Sequence, residues 1–137
     1  MGNECITKAK DHKAAIRNFD KALKLDPKFV DAWVRKGITL LDLREDHAAQ
    51  ACLNEAIRLS PNSFKARYNR GKCHLSLRNY DEAANDLGKA IDIKPQHAAA
   101  HDYLSEAYRH LGEEDLAQRH QDIAEEIRNK NQTNKNI

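Results

Sequence analysis

The three prolines of the chain, Pro27, Pro61 and Pro95, stand 34 residues apart. A fixed period of this length marks a stacked structural repeat, in which each unit buries its apolar face against its neighbours. Other residues keep the same register. Twelve positions before each proline stands Ala15, Ala49 or Ala83, and five before stands Ala22, Ala56 or Ala90. Phe19, Leu53 and Leu87 lie eight before, and Leu25, Leu59 and Ile93 lie two before. Gly37 and Gly71 stand 24 before their prolines, with Trp33 four residues ahead of Gly37. A fourth copy continues through Leu104, Ser105, Tyr108, Gly112, Ala117, Ala124 and Ile127, with Asn129 in the proline column. The first copy is truncated, and Asn3 occupies its glycine column.

Each copy reads as two amphipathic helices split by a polar break, at Lys10-Asp11, Arg44-Glu45-Asp46, Arg78-Asn79-Tyr80-Asp81 and Gly112-Glu113-Glu114-Asp115. Acids after each break suit the first turn of the next helix, where free N–H groups and the helix dipole favour negative charge. The alanines and glycines fall where two helices must approach closely. Proline closes each second helix, because the residue before it is pushed out of the α region. The expectation is an all-α chain of about seven helices, counting a partial first one between Asn3 and Ala9.

This pattern of Trp, Gly, Ala, an aromatic or Leu, a second Ala and a closing Pro resembles the tetratricopeptide repeat. The resemblance covers nearly the whole chain. It implies a right-handed superhelical array of antiparallel helix hairpins in one domain, residues 1–128. The partial repeat is 1–29 and the others are 30–63, 64–97 and 98–128. Residues 129–137 form a polar tail that lacks apolar periodicity and is expected to fray.

In proteins similar to this one, the first helix of each hairpin lines a concave groove that binds an extended peptide or partner protein. Carried onto this sequence, the groove columns give Ile38, Lys65, Tyr68, Lys72 and Glu106, with Arg35, Asn69 and Tyr103 beside them. These eight residues are the expected partner-binding set. Lys65 and Lys72 would serve as charge partners for an acidic or carboxylate-bearing ligand, and Tyr68 as an apolar platform. The carboxylate clamp of chaperone-binding repeats keeps one of its five residues in either possible register, so that sub-class is rejected.

Composition narrows the function further. Net charge is +2, too balanced for a nucleic-acid footprint. The longest apolar stretches fall far short of the roughly 20 residues that span a bilayer, so no membrane segment is expected. The sequence Met-Gly-Asn-Glu-Cys lacks a basic-then-apolar leader, which points to the cytoplasm. Cys5, Cys52 and Cys73 contain no CxxC pair and read as reduced thiols. His97 and His101 are four apart with no third ligand evident, and read as an exposed, uncoordinated pair. Arg70 reads as the internal partner of Asp86. No nucleophile, base and orienting group recur at catalytic spacing, and no Gly-rich phosphate loop is present, so neither an enzyme nor a cofactor is expected.

An alternative reading makes the chain a structural segment that self-associates or stacks on other repeats. Phe19, Ala22 and Leu25, together with Ile6, would expose part of an apolar stripe at the N-terminal edge. The expected form is a symmetric homodimer through that edge, opposed by the seven basic against four acidic residues of positions 1–29.

Overall fold

The structure, a computed structural model, describes residues 2–135, with side chains from residue 8 to residue 133. Ile6 and Cys5 lie outside the described side chains. Among the described residues there are seven α-helices and no strand: α1 (Gly2–Leu25), α2 (Val30–Asp42), α3 (Asp46–Leu59), α4 (Phe64–Ser76), α5 (Tyr80–Ile93), α6 (Ala98–His110) and α7 (Glu114–Lys135). None is long and apolar enough to cross a membrane. Each helix packs on its sequence neighbours, and α2 also touches α4 while α4 touches α6. The chain is therefore a solenoid of helix hairpins in which α2, α4 and α6 line one wall and α3, α5 and α7 the other.

The proline column ends the helices as expected. Leu25, Leu59 and Ile93 are the last helical residues of α1, α3 and α5, and Ser60 and Lys94, which precede prolines, leave the helical region at φ −141° and −130°. Next-repeat helices start from capped ends where the side chain allows: Ser63 Oγ accepts the Ala66 N–H, and His97 Nδ1 accepts the Ala100 N–H.

The small-residue columns carry the core. Ala49, Ala56, Ala83, Ala90, Ala117 and Ala124 are completely buried, as are Leu53 and Leu87. A Cβ on Gly37 would come within 2.8 Å of Leu53 Cγ, and one on Gly71 within 2.6 Å of Leu87 Cγ. The two columns are therefore coupled, since glycine is needed where leucine follows sixteen residues later. The fourth copy changes both partners. Ser105 replaces the glycine, and Gln121 stands where leucine would crowd it. The Ser105 hydroxyl then donates to the Ala117 carbonyl at 2.7 Å.

Three of the inter-helix turns pass through left-handed backbone, at Arg44 (φ 64°), Arg78 (φ 61°) and Gly112 (φ 81°). Lys10 holds the same register but lies inside α1, which is one continuous helix. The expected break at Lys10-Asp11 does not form. Leu43, Leu77 and Leu111 each tuck a half-buried side chain just before the turn, whereas the first copy has Ala9 there and lacks that anchor. The other correction lies at the C-terminal end, where α7 runs on through Lys135 instead of fraying after residue 128. Asn129 keeps its N–H for the helix where a proline would have removed it, and Thr133 Oγ1 donates to the Asn129 carbonyl at 2.9 Å.

Arg70 meets Asp86 as expected, its Nε 2.7 Å from Oδ2. Asp86 is 1 % exposed and also takes Arg67 at 3.2 Å, while Arg70 reaches Asn54 Oδ1 of α3 at 3.1 Å. The network ties α4 to both helices that flank it. His101 departs from expectation: it is buried, donates its Nε2 hydrogen toward the Pro95 carbonyl at 2.9 Å and faces His120 of α7. It is a packing residue rather than half of an exposed pair.

Candidate functional site

The wall built by α2, α4 and α6 is a groove because these helices come from successive hairpins and present the same register positions side by side. Two adjoining hollows run along it. One, of about 530 Å³, is lined by Ile38, Leu41, Asp42, Arg44, Asn69, Lys72, Leu75, Ser76, Tyr103 and Glu106. The other, of about 470 Å³, is lined by Phe19, Asp31, Val34, Arg35, Ile38, Thr39, Phe64, Lys65, Tyr68 and Asn69. Ile38 and Asn69 belong to both and join them. Arg35, Lys65 and Tyr68 lie in the second hollow; Lys72, Tyr103 and Glu106 lie in the first.

An aromatic cluster forms the floor between α4 and α6. Phe64 and Tyr68, four residues apart on α4, stack with centroids 5.4 Å apart, and Tyr68 meets Tyr103 edge-on at 5.8 Å. His97, whose nitrogen caps α6, fits between Phe64 at 4.8 Å and Tyr68 at 4.9 Å. Burial raises the Tyr68 hydroxyl to about 12, with Tyr103 and Asp102 adding to the effect. It stays a neutral hydrogen-bond donor across the ordinary pH range.

Cations sit on this floor. The Lys72 ammonium lies 5.5 Å from the Tyr68 ring centre and 5.4 Å from that of Tyr103, and Lys94 lies 4.8 Å from the centre of Phe64. Such placement attracts the ammonium to the ring faces and holds an otherwise flexible side chain in place. Lys65 and Lys72 make no ion pair among the described residues, whereas Arg35 is engaged by Asp31 at 2.7 Å, one helical turn back. Asn69 is buried and donates its Nδ2 hydrogen to the Lys65 carbonyl at 2.7 Å, which fixes its amide orientation at the junction of the hollows. The groove thus offers two positive charges without an ion-pair partner among the described residues, an aromatic platform and an apolar pocket around Val34 and Ile38.

Phe19, Thr39, Arg44 and Phe64 line the hollows although none was among the groove residues expected from the sequence. Phe64 is legible in retrospect, since it is the first residue of α4 and directly precedes the groove column that holds Lys65. Arg44 lines the groove from a turn of left-handed backbone, which spacing does not reveal. Among the described residues, no three His, Cys, Asp or Glu side chains gather closely enough to hold a metal ion.

Comparison with known proteins follows the same lines. Three tetratricopeptide-repeat family models match residues 37–98, 18–51 and 6–29. No curated protein matches the chain. Among solved structures, a crystal structure of MamA protein is 28% identical, covers 93% of this chain and 69% of its own, and superposes with a TM-score of 0.83. A MamA chain running from residue 41 to the end, from Desulfovibrio magneticus RS-1, is 25% identical over 88% of this chain and 68% of its own, with a TM-score of 0.81. A MamA RS-1 double mutant, at 24% identity, covers 90% of this chain and 69% of its own with a TM-score of 0.84, and shows likeness of fold. With the 34-residue register, the hairpin solenoid and three family models in agreement, the chain belongs to the tetratricopeptide-repeat family of protein-interaction scaffolds.

Proposed function

We propose that this domain is a non-catalytic interaction module that binds an extended, acidic or carboxylate-bearing peptide in the groove of α2, α4 and α6, as part of a larger scaffold or adaptor. The observation that carries the reading is the pair of adjoining hollows with Lys65 and Lys72 unpaired beside the Tyr68–Tyr103 platform. A carboxylate entering there gains charge-assisted hydrogen bonds without displacing an existing ion pair, and an apolar side chain of the same ligand fits the pocket of Val34, Ile38 and Phe64. The partner is a protein or peptide rather than nucleic acid, because the groove also carries Asp31, Asp42 and Glu106, which would repel a phosphate backbone. Buried free thiols at Cys52 and Cys73 suit a reducing compartment, and the cytoplasm is the location this reading assigns.

The test is affinity capture with the domain, identified by mass spectrometry, against a Lys65→Glu/Lys72→Glu control. Charge reversal should abolish capture and leave the melting temperature within a few degrees. Capture that survives the reversal removes the charge logic.

A second reading, self-association through the N-terminal edge, is favoured by the exposure of Leu25, at 89 %, and of Phe29, at 45 %. Light scattering across a range of concentrations tests it.

A further inference from the structure

Among the described residues α1 packs on α2 alone, and the repeat register shows what this leaves open. Ala15 and Ala22 hold the two alanine columns that are completely buried in every later copy, yet both are only half-buried. Phe19 is half-buried where Leu53 and Leu87 are fully enclosed. On the other side of the same helix runs a basic stripe. Lys10, Lys13, Arg17, Lys21 and Lys24 recur at steps of three or four residues, which places them on one side of a helix. All five are exposed. Asp20, the acid beside them, is held by Lys36 of α2 at 2.6 Å.

The opposite end of the solenoid is its electrostatic complement. Among the described residues α7 packs on α6 alone, and its outer side carries Asp115, Asp122 and Glu126 around a shallow hollow of about 440 Å³ that also contains Ile123. Ile123 and, beside the hollow, Leu116 are half-buried next to these acids. Arg119 is the one cation in that hollow. Two α1 edges brought together would set basic stripe against basic stripe, whereas α1 against α7 sets basic against acidic.

We propose that copies of this chain associate head to tail, the basic edge of α1 in one copy lying on the acidic outer face of α7 in the next. The proposal rests on the reading of the N-terminal edge as an association surface and names the surface it meets, in place of the symmetric pairing expected from sequence. Because the two faces differ, the contact is heterologous and leaves a free head and a free tail, so it propagates beyond a dimer. Attraction between opposite charges also weakens as salt screens it, while a symmetric contact between basic stripes would strengthen.

Light scattering coupled to size exclusion, run at several protein concentrations in low and high salt, tests this on the full chain. The expected result is a mass that climbs past the dimer with concentration in low salt and falls toward the monomer in high salt. Asp122→Lys/Glu126→Lys and Lys13→Glu/Arg17→Glu/Lys21→Glu should each weaken association about tenfold or more, and mixing the two variants should restore it. Far-UV circular dichroism confirms that each variant stays helical, and the salt dependence of the unmodified chain decides the matter should one not fold. Association that strengthens with salt and ignores the α7 reversal would overturn the head-to-tail arrangement while keeping a symmetric edge contact. A monomer at every concentration would overturn both.

Discussion

The Nδ1 atoms of His101 and His120 lie 3.0 Å apart across the interface of α6 and α7. His101 Nε2 faces the Pro95 carbonyl, which only accepts, so the His101 hydrogen sits on Nε2. Its neutral ring then presents a bare Nδ1, and the Nδ1 hydrogen of His120 is the one donated between them. The pair shares one proton, and a second would force two hydrogens into the same gap. Tyr108 stacks on His120 at 5.7 Å and helps enclose it.

This arrangement makes stability fall in acid. Burial, with His101 and Arg119 nearby, holds His120 below its ordinary value, and burial does the same to His74 and His97. As pH drops through about 6.5 the unfolded chain takes up protons that the folded chain refuses, so stability is full above that value and declines below it. The urea midpoint should therefore drop between neutral pH and about pH 5, and His120→Gln, which keeps a donor without a titrating ring, should flatten the decline. A midpoint that rises on acidification would contradict the shared-proton geometry.

Asp86 should be among the most costly polar positions in the chain. Asp86→Ala strands two guanidinium groups, with the Arg67 side chain 11% exposed and that of Arg70 20%. Breaking a buried pair in this way costs about 3–5 kcal/mol, whereas Glu55→Ala, which removes a surface pair with Arg58, should cost far less. Equilibrium urea unfolding of the two variants measures the contrast, and equal losses would mean the Asp86 network contributes no more than a surface pair.

Glycine substitutions should change sign along the chain. Gly71→Ala drives a Cβ to 2.6 Å from Leu87 Cγ, and overpacking of this kind costs about 1–3 kcal/mol. Gly88→Ala meets nothing within 4 Å inside α5, and replacing a helical glycine there should stabilise by about 0.5–1 kcal/mol. Pairing Gly71→Ser with Leu87→Gln reproduces the Ser105 and Gln121 combination and should recover part of the single-variant loss, which a double-mutant cycle reads directly.

Tyr68 should be among the last tyrosines to ionise. Its hydroxyl is raised to about 12, so ultraviolet difference titration should show a late step that Tyr68→Phe removes. The same substitution keeps the ring under Lys72 and should leave ligand capture largely intact if the platform acts through its ring face.

The 34-residue register was sufficient for the hairpins, the proline-ended helices and the buried alanine columns, because a solenoid is held by contacts between near neighbours that recur at fixed spacing. It was sufficient for Arg70 and Asp86 too, since facing positions on α4 and α5 are set by one hairpin. The expected groove positions were read by column, and in the structure they line two hollows that share Ile38 and Asn69. Tertiary structure alone decided the rest. Whether Lys10 turns or continues a helix depends on an anchoring side chain before it, and the half-burial of Ala15 and Ala22 depends on which helices pack on α1. The fate of His101 turned on His120, a residue 19 positions away that carries no repeat signal, and the second arginine on Asp86 was equally silent in sequence. Periodicity reports the backbone positions that every copy must satisfy, whereas contacts between side chains that differ from copy to copy exist only once the copies are stacked.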